Sequence, residues 1–309
     1  MQGDGDLNPT HQAGTMRHLL ESEPFVSVAP ILNRAVSSFK GHNGPVMLLA
    51  APSLIGALSI APIEAALLDL GLPYRRRFKL ESPSNGSWIH ISGPAQDSGP
   101  QYISGPPRLS LELALVDGLV SSSGDARRGP LTTVAQAHAI AQSLAPDGSR
   151  VRRLRPWLIS GNWLHSALDT TYDPVFTALR DILVEEGSVR IATMPEVPSI
   201  ELSNTPWIEP LALEAGSSKW PDLDMEGRAR ALSHLMRPAL SRSTPSTARM
   251  EELGWHRVIG PNWDSDLASE ILRAAKLWKQ GSANLAAHSL VDSLLGTGRS
   301  PKYEKSFQP

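Results

Sequence analysis

No cysteine occurs among the 309 residues, so disulfides, thiolate metal sites and cysteine nucleophiles are excluded. Aromatic residues are scarce at 6%, and Trp is the commonest of them with eight copies. Neither sign of charge dominates: 29 Lys and Arg stand against 31 Asp and Glu, a formal net charge of −2. That balance argues against a dedicated nucleic-acid binder with a basic surface overall, and leaves room only for local basic patches. The common chemistry-bearing motifs are missing as well. There is no G-x-S-x-G nucleophile elbow, no Walker A loop, no G-x-G-x-x-G after a strand and no H-E-x-x-H. The nine His are scattered, without the close pair spacing of a local metal site.

What is present reads as a soluble globular chain. Hydrophobic content is 41% with 19% charged residues, and the length suffices for one large core or two modest ones. The opening MQGDGDLNPTHQ is polar with no apolar signal region, so the expected location is the cytoplasm. Val46 to Ile63 carries no formal charge and is followed by Arg75-Arg76-Arg77, which raises a membrane span as a reading. Pro52, Ser53, Gly56, Ser59 and Pro62 interrupt it, and Glu64 and Asp69 continue its helical pattern. A buried core segment and no membrane contact is therefore expected.

Pro45 to Lys79 organises the rest. A continuous apolar run, Val46 to Ala50, breaks at Ala51-Pro52-Ser53 and resumes at helical spacing from Leu58 to Leu70. Gly71 sits at a helix end, Pro73 follows, and Tyr74 to Leu80 starts a second strand. This is a βαβ unit, and its first loop lies where open α/β sheets place their chemistry. That loop contains no carboxylate, His, Lys or Arg.

Around it, residues 1–14 read as disordered, and Met16 to Phe39 as helix interrupted at Pro24 and Pro30. Asn85-Gly86 is a hairpin signal before a strand at Trp88 to Ile91. Residues 93–107 and 121–130 read as loops, and Leu109 to Val116 as a strand or helix ending at Asp117-Gly118. Helices are predicted over Thr132 to Leu144, from Trp157 to Leu168 and over Pro174 to Glu186, with a short strand at Val189 to Ala192. Beyond Glu201 come helices at Met225 to Met236, Asp266 to Lys279 and Ala283 to Leu295, with a Ser/Pro/Thr/Arg-rich connection over 237–250 and a loose tail over 297–309. The predicted fold class is α/β, a mainly parallel sheet with flanking helices, followed by a smaller, mostly helical C-terminal part. The predicted divisions fall at 15–200, 201–296 and 297–309.

Among candidate functional side chains, His90, His138, His165 and His288 sit in half-apolar elements, where a hydrogen-bonded packing role is the first expectation. Glu185-Glu186 reads as the solvated end of a helix, and the later Trp residues as core and interface filler. Three basic clusters stand out: Arg75-Arg76-Arg77 with Lys79, Arg127-Arg128, and Arg150-Arg152-Arg153-Arg155. On a strand Arg75 and Arg77 share one face and Arg76 the other. Arg75, Arg77, Lys79, Arg152, Arg153 and Arg155 are the candidate contacts for weak single-stranded DNA binding, weighed against a solvated edge that guards against strand pairing.

The order of these segments resembles a degenerate DHH phosphoesterase domain of the archaeal RecJ-like branch, related to the inactivated RecJ-like subunit of the replicative helicase complex. The family's first motif, an apolar strand followed by His-x-Asp-x-Asp-Gly, is matched by LLAAPSLIGALSIAPIEAAL, which keeps Gly56 but has Ala51, Ser53 and Ile55 at the ligand positions. Its second, a strand ending in Asp, is matched by WIHISG with Ser92 there. LALVDGLV stands for the DHH signature with Asp117 as the surviving acid, and LISGNWLHS keeps Gly161 but has His165 where an Asp belongs. TPWIEPLALEAGSSKWPDL and the helices after Asp266 resemble the linker and the first helices of the accessory domain. The active family holds two divalent metals. With Ala, Ser and Ile at those positions, the resemblance implies no metal, no cofactor and no catalysis. It implies a replication or repair scaffold bridging replisome proteins such as GINS and the MCM helicase. The alternative is an active phosphoesterase or nuclease, acting on single-stranded nucleic acid or small phosphodiesters through an altered metal site built from residues such as Asp117, His165 and Asp169.

Overall fold

The computed structural model describes residues 16–301 except 94–97, 121–125, 171, 204, 241 and 243–244. The expected disorder over 1–14 and most of the expected tail therefore lie outside the described residues. Two short 3-10 turns, Leu19–Glu21 and Glu23–Phe25, replace the first half of the helix predicted over 16–39. Helix α1 (Ala29–Lys40) begins with Pro30 in its first turn, where a missing N–H costs nothing.

The βαβ unit forms as read. Strand β1 (Val46–Ala50) leads into α2 (Leu54–Leu70), capped by the Ser53 hydroxyl and closed by Gly71 in the left-handed region, and then into β2 (Tyr74–Arg77). Strands β3 (Ser87–Ile91), β4 (Gln101–Ile103) and β5 (Arg108–Leu111) complete a five-stranded sheet in the order β2-β1-β3-β5-β4. All neighbours are parallel except β4 on β5. β2 and β3 thus flank β1 and do not pair with each other, so the hairpin predicted at Asn85-Gly86 is not formed. Gly86, at φ 92°, turns a connection between non-adjacent parallel strands instead. The apolar residues Leu48, Ala50, Ile89, Ile91, Leu109 and Leu111 lie on one face, packed with the helices in the main core. Trp88 and His90 alternate with them on the other face and are half-buried.

The stretch predicted as one element over 109–116 is two. β6 (Ala114–Val120) leaves the first sheet and pairs antiparallel with β7 (Ala126–Leu131), in a region read as loop. Gly118 and Gly129, which suggested loop, are close-approach sites: a Cβ at Gly118 would lie 2.6 Å from Pro174 C and Val175 N, and one at Gly129 2.8 Å from Asp173 Oδ1. They seat the hairpin on a helix further along the chain.

Helices α3 (Thr133–Leu144), α4 (Ser149–Leu154), α5 (Ser160–Leu164), α6 (Ala167–Thr170) and α7 (Pro174–Glu185) follow, then β8 (Arg190–Ala192). Helices α8 (Pro210–Lys219), α9 (Met225–Met236) and α10 (Thr247–Gly254) precede β9 (Arg257–Ile259), and α11 (Leu267–Lys276) and α12 (Ala283–Thr297) end the described chain. β9 pairs antiparallel with β8, so a strand before residue 201 is completed by one after it. Leu213, Trp220, Leu232 and Met236 form a small second core, whereas Leu267, Ile271, Leu290 and Leu294 belong to the main one. The molecule is α/β, with a mostly parallel central sheet and flanking helices. Among the described residues no helix is long and apolar enough to cross a membrane.

Residues 298–300 are anchored, not loose. Trp157 Nε1–H donates to Gly298 O at 2.8 Å, and the Ser300 hydroxyl donates to buried Glu270 at 2.6 Å. Burial alone would raise the Glu270 carboxyl, but hydrogen bonds from Ser265, Ser300 and Arg299 hold it below the usual range.

Candidate functional site

The register pairs Ala50 with Ile91 and Ile91 with Leu111, so the loops leaving β1, β3 and β5 start side by side at the carboxyl edge of the sheet. Three of the residues read as ligand positions, Ala51, Ser53 and Ser92, are brought to this edge. None is free to bind an anion or a metal strongly. The Ser53 hydroxyl accepts the Gly56 N–H at 3.1 Å and so serves as the α2 cap. Ile55 packs against the main core. Gly56 is needed because a Cβ there would lie 2.3 Å from Ala51 O.

The third strand contributes a residue that the motif reading missed. Glu112 directly follows β5, is buried, and accepts the Ser92 hydroxyl at a long 3.4 Å through Oε1, while Oε2 has no partner. An acid immediately after an apolar strand was the available signal, but the motif reading took Asp117 of LALVDGLV as the surviving acid. His90, two residues before Ser92 and on the same face of β3, is held below its ordinary pKa by burial, with the Glu112 charge opposing the shift. The loop is closed from outside by the C-terminal part: Trp278 Nε1–H donates to Pro52 O at 2.9 Å, and Leu277 and Trp278 pack on the same core as Leu54 and Ile55.

Two residues proposed from the motifs lie elsewhere. Asp117 is on β6 in the second sheet, more than half exposed, and faces Arg128 at 3.7 Å. His165 ends α5, where its Nδ1 accepts the Ala167 N–H at 3.1 Å. Gly161 is again a close-approach site, 2.4 Å from Thr132 Oγ1 for a Cβ. Beside it Asn162 joins Thr132 to Asp173, and Asp173 caps α7 through the Val175 and Phe176 N–H groups. Among the described residues no three His, Asp or Glu are grouped to hold a metal ion.

The six basic candidates divide. Arg75, Arg77 and Lys79 are exposed and unpaired among the described residues, and Arg152 is exposed. Arg76 points to the other face and pairs with Glu64 and Asp292, tying β2 to α2 and α12. Arg153 donates to Gly296 O at 2.6 Å. Arg155 is not available to nucleic acid at all. It is buried, donating to both oxygens of Glu186 at 2.7 and 2.9 Å and to Gln142. The same contact corrects the reading of Glu186 as a solvated helix end: only Glu185 is exposed, paired with Arg17. A doublet of acids looks solvated in sequence, and its inner member was needed by an arginine 31 positions away. No family model matches the chain, and no curated protein matches it.

Proposed function

We propose that the chain is a degenerate DHH-like, RecJ-like domain acting as a non-catalytic scaffold in DNA replication or repair, bridging replisome proteins such as GINS and the MCM helicase. The observation that carries the reading is the carboxyl edge itself. The positions aligned with the family's ligands, Ala51 and Ser92, lie at adjacent strand ends, and their side chains offer no carboxylate or imidazole. Two divalent cations need several hard anionic donors, and among the described residues of this edge Glu112 alone does not supply them. Gly56 and Gly161, the two glycines kept from the motifs, both stand where no Cβ fits, which further supports the alignment.

The test has two parts. Purified full-length chain with manganese or magnesium should release no product from single-stranded DNA, RNA or bis-p-nitrophenyl phosphate. It should co-elute in gel filtration with purified GINS or MCM. Metal-dependent turnover that Glu112→Gln abolishes would return the phosphoesterase reading to first place, and failure to co-elute with either assembly would remove the replisome role.

A further inference from the structure

Helices α2 and α3 pack on the sheet face that carries Leu48, Ile89 and Leu109, and these residues belong to the main core. The opposite face is different. A mostly parallel sheet is ordinarily covered by helices on both faces. Here Met47, Leu49 and Trp88, which point the other way, belong to none of the three hydrophobic clusters formed by the described residues.

The register shows what this second face presents. Arg75, Met47, Trp88 and Arg108 lie abreast in one cross-strand row, and Arg77, Leu49, His90 and Ser110 in the next. Neighbouring strands are ~4.8 Å apart, so each row of four spans roughly 14 Å. Leu49 is buried, Arg75 and Arg77 are exposed, and the other five are half-buried. None of the eight is acidic, and Glu112 comes only after β5 has ended and is itself buried. Arg76, on the inward face, has its charge met by Glu64 and Asp292, whereas Arg75 and Arg77 have no partner among the described residues. Protection of an edge strand against pairing would account for the arginines of β2. It does not account for Arg108, three strands away and held by Ser84 O at 2.8 Å and Gly86 O at 3.2 Å. Nor does it account for the Trp88 and His90 rings, set edge to face with centroids 6.2 Å apart.

We infer that this sheet face binds single-stranded nucleic acid, with phosphates on Arg75 and Arg77 and a base stacked beside Trp88 and His90. A nucleic-acid strand is a polyanion that also carries flat rings, and stacking of bases on aromatic side chains tolerates any sequence. An acidic peptide matches the arginines and leaves the central rings without a role. The inference does not depend on the scaffold reading.

Fluorescence anisotropy of the full chain with a labelled fifteen-nucleotide oligothymidylate, at several salt concentrations, tests it, with an abasic strand of the same length and charge as the control. The oligothymidylate should bind at least about tenfold more tightly than the abasic strand, because only it has bases to stack. Trp88→Ala should bring it down to the abasic affinity and leave the abasic strand unaffected. Arg75→Ala combined with Arg77→Ala should weaken both strands alike and shallow the slope of log affinity against log salt by roughly 1.4, the share of two phosphates on a single strand. Equal affinity for the two strands, no saturable binding, or unchanged oligothymidylate binding by folded Trp88→Ala would each overturn the proposal. If Trp88→Ala fails to fold, the two strands on the unaltered chain decide together with His90→Ala, which should weaken the oligothymidylate about fivefold and the abasic strand not at all. Unchanged oligothymidylate binding by His90→Ala would then overturn it.

Discussion

The carboxyl edge of the sheet and the region around β9 and α11 use polar residues in opposite ways. At the edge, the positions next to the strand ends are Ala51, Ser53 and Ser92, and Glu112, the one buried acid there among the described residues, has a single weak hydrogen bond. Around β9 and α11 the chain buries Arg257, Asp266 and Glu270, and engages Arg273, Arg299, Ser265 and Ser300 with them. The place where an α/β sheet conventionally reacts is therefore built from caps and packing. The charge is concentrated where segments of the last part of the chain lock onto one another, all between Leu253 and Ser300. Conventional position in a fold and chemical capacity can be separated, and here they are.

If that contrast is right, the largest loss should come from the second region. Asp266→Ala leaves Arg257 buried and uncompensated and also removes the α11 cap, so urea denaturation should show a cost of about 3–5 kcal/mol. A loss below ~1 kcal/mol would mean the network contributes little to stability.

Acid should expose a second buried group. His138 is held neutral, its pKa pushed down to about 3 by burial and then by Arg155. In the unfolded chain an imidazole titrates near ~6.5. Below that pH the unfolded state takes up a proton that the folded state refuses until about pH 3, so stability falls as pH falls, at up to about 1.4 kcal/mol per unit. Between pH 6.5 and 5 the loss from this group should be roughly 2 kcal/mol, and His138→Leu should flatten the pH profile by that amount. An identical profile in both proteins would show that the imidazole charges without unfolding.

Smaller effects are expected at the edge. Trp278→Phe keeps the packing and removes the N–H donated to Pro52 O, which should cost about 0.5–1.5 kcal/mol in thermal or urea unfolding. Least of all, Arg75→Ala and Arg77→Ala should change stability by no more than about 0.5 kcal/mol, because both side chains are exposed and neither has a partner among the described residues. Together they should weaken single-stranded DNA binding measured by fluorescence anisotropy and shallow its salt dependence. A salt slope unchanged in the double variant would place DNA contacts elsewhere.

These regions were not equally legible. The strand, loop and helix of 46–71 could be read because a continuous apolar run, apolar residues at helical spacing and a terminal glycine agree over one short segment. The β6–β7 hairpin was hidden because Arg127, Arg128, Gly129 and Pro130 look like a turn, and only the tertiary contact of Gly129 with the α7 cap explains them. Arg155 and Glu186 illustrate the same limit for charge. Sequence shows a basic cluster and an acidic doublet, and nothing local says that one member of each turns inward to meet the other. At the edge, Ala51 and Ser92 were placed by their match to the family's motifs, whereas the approach of Glu112 to Ser92 required knowing that β5 pairs with β3.

The central claim, that among the described residues the carboxyl edge of this sheet lacks the donors for two-metal phosphoester chemistry, is tested most directly by thermal unfolding of the full chain with and without millimolar manganese. A ligand that binds only the folded state raises the midpoint in proportion to the logarithm of its concentration over Kd. The account predicts a shift within about 1 °C, unchanged in Glu112→Gln and Ser92→Ala. A rise of several degrees in the unaltered protein, lost in Glu112→Gln, would contradict it.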